Sequence, residues 1–143
     1  MPSHAEKKIL PYTPRQVFDM VADIAAYPDF LPWCIATRIR SVEDKQLVAD
    51  MVIGFKMFRE QFTSRVELNG PNSIEVEYED GPFKYLKNSW FFVSDENGHC
   101  LVDFSVEFEF RSQILELAIG GIFTEAVHRM VSAFEKRAET LYG

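Results

Sequence analysis

From Ile35 to Phe110 the period of the apolar residues shifts toward two, and this run of candidate strands constrains the fold more than any other feature of the chain. Ile39 to Val42, Leu47 to Phe55, Phe58 to Leu68, Ser73 to Glu79, Tyr85 to Val93 and Cys100 to Phe110 read as strands. Glu43-Asp44, Lys56-Met57, Asn69-Gly70-Pro71, Asp80-Gly81-Pro82 and Asp95-Glu96-Asn97-Gly98 divide them. Connections this short join antiparallel neighbours. In the last strand Val102, Phe104, Val106, Phe108 and Phe110 alternate with Leu101, Asp103, Ser105, Glu107 and Glu109, so one face is buried and the other wet. A sheet covered on one face must find an apolar surface to lie against.

The stretch Ser112 to Leu141 supplies it as one long helix. Ala126, Val127, Met130, Val131, Phe134, Ala138 and Leu141 share a face, opposite Glu125, His128, Arg129, Ser132, Lys136 and Glu139. Carried back through the first half at 3.6 residues per turn, the same phase turns Ile114, Leu117, Ala118, Gly121 and Ile122 to water, and turns Glu116 inward with Gln113. Three readings follow. Gly120-Gly121 bends the helix and resets its phase; or an apolar outer surface forms a lid, a partner contact or a lipid-facing lip, with Glu116 in a pocket; or the residues before Gly120 are not helical.

Ahead of the strand run, His4 to Leu10 is a candidate first strand ending at Pro11. Thr13 is placed as N-cap, Pro14 as first helical residue and Gln16 at capping-box spacing, with Val17, Met20, Val21 and Ile24 as the buried stripe. Tyr27 to Trp33, bracketed by Pro28 and Pro32, reads as a second short helix or turn. This order predicts an α+β fold in one domain spanning residues 1–143: two short helices follow the first strand, and a curved antiparallel sheet grips a long C-terminal helix. Thirteen phenylalanines supply much of the interior.

A net charge of −7 argues against general attraction to nucleic-acid phosphates or anionic headgroups. Cys34 and Cys100 fit a reducing compartment and read as small core residues. Residues Met1 to Leu10 hold no apolar signal core, and Ser112 to Thr124 falls short of the ~20 residues that cross a bilayer. A cytoplasmic protein is expected, with any membrane contact peripheral. His4, His99 and His128 fall on a strand, a turn and the outer face of a helix, which predicts neither a metal site nor an acid–base cluster. Cys34 has no histidine with a sequence claim to be its base. No catalytic residue, metal or cofactor is therefore assigned.

Tyr27-Pro28-Asp29-Phe30-Leu31-Pro32-Trp33-Cys34 resembles the signature of the coenzyme Q-binding members of the START-like superfamily, a group that includes bacterial ribosome-association toxins of the RatA type. Glu60-Gln61-Phe62-Thr63-Ser64-Arg65-Val66 is similar to a strand of the same family, with Phe62 where a tyrosine is more usual. The resemblance implies a helix-grip fold with an elongated apolar cavity, and non-catalytic binding of a prenylated quinone in support of respiratory electron transfer. The alternative it carries is a toxin that binds the large ribosomal subunit and blocks subunit joining, for which Arg38, Arg40, Lys56 and Arg59 would be the basic patch. An aromatic polyketide cyclase is a more distant one.

A greasy ligand needs apolar walls and a few polar groups to orient its head. Phe30, Leu31 and Trp33 are expected at the mouth, Trp90, Phe104 and Phe108 on the sheet, and Ile119 and Phe123 on the helix. Glu116, Asn88 and Arg65 are the polar candidates. Ile114, Leu117 and Ile122 are the expected membrane-facing side chains.

Overall fold

The computed structural model describes residues 3–55, 58–120 and 123–143. Its elements are β1 (Ser3–Leu10), α1 (Pro14–Ala22), a 3-10 helix (Ile24–Asp29), β2 (Cys34–Glu43), β3 (Gln46–Phe55), β4 (Phe58–Asn69), β5 (Ser73–Asp80), β6 (Phe83–Ser94), β7 (Cys100–Phe110), α2 (Gln113–Gly120) and α3 (Phe123–Tyr142). The strands form one antiparallel sheet in the order β1-β7-β6-β5-β4-β3-β2. Only β1 is out of sequence order. It pairs with β7 from Ser3 opposite Glu107 to Leu10 opposite Cys100, which brings the two ends of the strand run together.

Register shifts interrupt the ladder between Cys34 and Ala36, Ile39 and Ser41, Thr63 and Ser64, and Phe83 and Tyr85. Bulges bend strands and increase their twist. The sheet thereby curls, and its inward face carries Ala49 and Met51 of β3, Phe62 and Val66 of β4, Trp90 of β6 and Phe104 and Phe108 of β7. At the β5–β6 turn Gly81 adopts φ +142°, and a Cβ placed there would lie 2.6 Å from Phe62 Cβ. Glycine is the residue that fits both constraints.

Local chemistry explains the helices. The Thr13 hydroxyl accepts the Gln16 N–H at 3.2 Å and the Gln16 side chain accepts the Thr13 N–H at 3.0 Å, a complete capping box. Val17, Phe18, Met20 and Val21 of α1 and Ile24 of the 3-10 helix are buried. The α3 face is as the periodicity predicts for Val127, Phe134 and Ala138, all buried, but Leu141 is 45 % exposed. Tyr142 makes the closing contact instead, packing on Tyr12 and donating its hydroxyl to the Gln16 carbonyl at 2.9 Å.

Along the expected C-terminal helix, α2 and α3 are described on either side of Gly121 and Ile122, which lie outside the described residues. The inverted phase of the first segment is real. Ile114 is 73 % and Leu117 82 % exposed, while Leu115 is buried at 8 %. Gln113, expected to turn inward, is exposed, and Ala118, expected in water, is half-buried. The core divides accordingly. One cluster joins α1, α3 and the middle of the sheet; another, built on Phe83, Phe108, Phe110 and Leu115, packs beneath α2.

An apolar cavity as candidate functional site

Between the curled sheet and the helices lies a cavity of about 280 Å³. That is near the lower end of the range for sites that take small organic ligands, about 300–1,000 Å³. Its floor follows β3 from Ala49 to Gly54 and β4 from Glu60 to Val66. Leu115, Ile119, Phe123, Ala126, Val127, Met130 and Phe134 of α2 and α3 form its roof. Val66 and Ile74, each 2 % exposed, close one end. Trp33, Ile53, Gly54 and Glu60 are all half-exposed and mark the other end as the open one. Trp33 is held there by its carbonyl, which accepts the Gly54 N–H at 2.9 Å.

Eight of the sequence-predicted residues line this space: Leu31, Trp33, Asn88, Trp90, Phe104, Phe108, Ile119 and Phe123. Trp90 sits 4.6 Å from Phe104 and 5.3 Å from Phe134, ring centroid to centroid. Its indole N–H donates to Asn88 Oδ1 at 3.0 Å, and Asn88 Nδ2 donates to the Ser105 carbonyl at 2.9 Å. Asn88 therefore orients the indole that forms the wall.

Three predicted residues are not in the lining. Phe30 packs edge-on against Tyr27 and Phe134, beneath the Arg137 guanidinium at 5.1 Å. Arg65 is on the convex face and pairs with Glu79 at 2.6 Å, because strand parity places Ser64 and Val66 inside and therefore Arg65 outside. Glu116 turns inward, yet its Oε1 accepts the Phe110 N–H at 3.4 Å, and its buried Oε2 has no hydrogen-bond partner among the described residues. Of the expected lipid-facing residues, Ile114 and Leu117 are exposed beside the α2 segment that roofs the cavity. Ile122 lies outside the described residues.

The sequence reading also missed much of the floor. Ala49, Met51, Ile53, Phe62 and Ser64 were legible as alternating positions, but nothing in the alternation of β3 and β4 distinguished a ligand wall from ordinary core. Phe62, at the position where tyrosine was the family expectation, contacts Phe83 edge-on at 5.4 Å. The structure brings together two histidines that the sequence kept apart. The rings of His4 and His128 are 6.0 Å from one another, and His4 Nε2 is 2.8 Å from Glu6 Oε1.

Elsewhere the titratable groups are held by the fold. Burial pushes the Cys34 and Cys100 thiols up to about 11, which suppresses the thiolate. Burial likewise raises Tyr27, whose hydroxyl donates to the Val21 carbonyl. On the convex face the Asp50 carboxylate is pushed up by burial, but the Thr63 hydroxyl at 2.5 Å and Arg40 Nε at 2.7 Å outweigh this and hold it below the usual carboxylate range. Arg40 of the expected basic patch is thus committed to Asp50. Arg38 and Arg59 are exposed, and Lys56 lies outside the described residues. No group of three or more His, Cys, Asp or Glu side chains among the described residues is arranged to hold a metal. No helix there is long and apolar enough to cross a membrane.

The family model described as polyketide cyclase / dehydrase and lipid transport matches residues 10–135. The chain belongs to that family. It is 43 % identical over 143 residues to the ribosome association toxin RatA of Rickettsia prowazekii, covering 97 % of both chains. It is 32 % identical to the mitochondrial coenzyme Q-binding protein COQ10 homolog B of Xenopus laevis, covering 98 % of this chain and 59 % of that one. The solution structure of an 18 kDa protein from Caulobacter crescentus is 36 % identical with a TM-score of 0.80, covering 100 % of this chain and 99 % of that one. Both named relatives carry names from the group that the Tyr27–Cys34 signature resembles, and the fold is shared with the Caulobacter structure.

Proposed function

We propose that the protein binds, without turnover, an elongated hydrophobic ligand of the prenylated quinone class between the sheet and the helices α2 and α3, in support of respiratory electron transfer. The observation that carries this reading is the cavity itself, apolar over nearly all its wall and roofed in part by a helix that exposes Ile114 and Leu117. Each buried methylene of a prenyl tail contributes about 0.8 kcal/mol, so tail length governs affinity more than the head does. The sheet aromatics Trp90 and Phe104 offer a ring surface, adding about 1 kcal/mol when a quinone stacks. The exposed pair on α2 fits a peripheral contact with lipid, from which such a ligand enters.

A second reading is supported by the name and 43 % identity of the Rickettsia relative, matched over nearly its full length: an interaction protein that contacts the large ribosomal subunit and blocks subunit joining. The net charge of −7 opposes approach to a phosphate-rich surface, and of the expected basic patch Arg38 and Arg59 are exposed and offset it in part. Polyketide cyclisation, suggested by the family description, is third. Glu60 is the only carboxylate on the cavity wall among the described residues, with no histidine as its partner.

Organic extraction of the purified protein followed by mass spectrometry tests the first reading, with near-stoichiometric prenylquinone as the expected result. An empty protein that sediments with large ribosomal subunits and lowers the yield of joined ribosomes reverses the order.

A further inference from the structure

We propose that the Ser64 hydroxyl orients the ligand in the cavity by donating a hydrogen bond to an uncharged acceptor oxygen, such as a quinone carbonyl; the inference rests on the cavity being a ligand site. Ser64 is 5 % exposed, lies on the inward side of β4 and forms part of the cavity floor. Its Oγ is buried and has no hydrogen-bond partner among the described residues. An unpaired buried hydroxyl destabilises a fold, whereas alanine at the same inward position carries no such penalty. The adjacent Thr63 shows the contrast, because its hydroxyl is spent on Asp50 on the opposite face.

The rest of the wall limits what the hydroxyl can meet. Trp90 Nε1 is already committed to Asn88, and Asn88 Nδ2 to Ser105. Among the described residues Trp33 Nε1 is the other buried polar side-chain atom of the lining left without a partner, and an indole N–H can only donate. Ser64 pairs with Ala49 while Trp33 is anchored at Gly54, so the two backbones stand about 16 Å apart along β3 at ~3.3 Å per residue. One small head cannot reach both; Ser64 serves the deep end and Trp33 the open one. Charge restricts the head further. Among the described residues no Lys, Arg or His lines the cavity, and Glu60 is its only carboxylate. A carboxylate would be desolvated there without a cation, which selects against fatty acids. What remains is a neutral ligand with a polar end, to which the Ser64 hydroxyl is free to donate.

The test measures binding of three probes to the full chain: a benzoquinone bearing a ten-carbon tail, an alkylbenzene with the same tail, and the saturated fatty acid of that length. Wild type is expected to bind the quinone most tightly and the fatty acid least. Ser64→Ala should weaken the quinone about threefold to tenfold, the loss of one neutral hydrogen bond, and leave the alkylbenzene within about twofold. Ser64→Thr, which keeps a hydroxyl, should stay within about twofold for the quinone. Thermal unfolding of unliganded Ser64→Ala should occur at the same or a higher temperature, because the unpaired group is gone. Unchanged quinone binding in Ser64→Ala, or equal losses for quinone and alkylbenzene, overturns the assignment while the cavity reading stands. Failure of wild type to bind either overturns the cavity reading and this assignment with it.

Discussion

Ala49→Leu tests whether the cavity is empty space in the folded chain. Ala49 is 5 % exposed, sits midway along β3 with its side chain on the cavity floor, and faces the roof formed by α3. Leucine adds three carbons. Burying them contributes about 0.8 kcal/mol per methylene, roughly 2 kcal/mol in all, against a side-chain entropy cost of about 0.5–1 kcal/mol. The expected net change is a stabilisation of about 1–2 kcal/mol. In a packed wall the same substitution would overfill the core and cost about 1–3 kcal/mol, so the sign of the effect decides. Urea unfolding reads it directly: the midpoint should rise with the slope unchanged. Ligand affinity should fall at the same time, since leucine occupies part of the 280 Å³. A lowered midpoint would refute the void, and with it the functional reading built on it.

Asp50→Asn should lower stability at neutral pH by about 1–2 kcal/mol, less than a fully buried charge pair would lose because the Arg40 side chain is 52 % exposed. The folded-state pKa of Asp50 is depressed, so its contribution is fully present above the ordinary carboxylate value near 3.9 and disappears as pH falls through the folded-state value; the variant should therefore show a shallower acid limb in a pH series of unfolding midpoints, and an unchanged limb contradicts the assignment. Gly81→Ala should destabilise by about 1–3 kcal/mol, since φ +142° and the approach to Phe62 both oppose a Cβ, as measured by chemical denaturation. Ile114→Ser combined with Leu117→Ser should leave the unfolding midpoint within about 0.5 kcal/mol while slowing quinone uptake from vesicles, and equal uptake rates would remove the lipid-facing role of α2.

What could be read from the linear chain was whatever depends on near neighbours. The capping box at Thr13 and Gln16 uses two residues three apart, and the structure holds it as expected. The alternation of Cys100 to Phe110 matches β7 at both ends, because each residue's face follows from its parity once one face is buried. Glu116 and Leu117 were assigned to opposite sides of α2 by helical phase alone, and they occupy those sides. Arg65 failed for an instructive reason. Its chemistry suits a polar end of the cavity, while the register that puts Ser64 inside turns it outward. Phe30 failed because aromatic character does not say which of two adjoining surfaces a ring will cover.

Local pattern thus determined the elements, their order and the apolar face of each, since helix and strand periods are set by backbone geometry within a few residues. Only the assembled chain decided that β1 closes against β7, that His4 meets His128, and that the sheet and helices diverge enough to leave a hollow with Ser64 on its floor. Those outcomes depend on curvature accumulated over seven strands and on contacts between residues more than a hundred positions apart, and no local period encodes a distance of that kind.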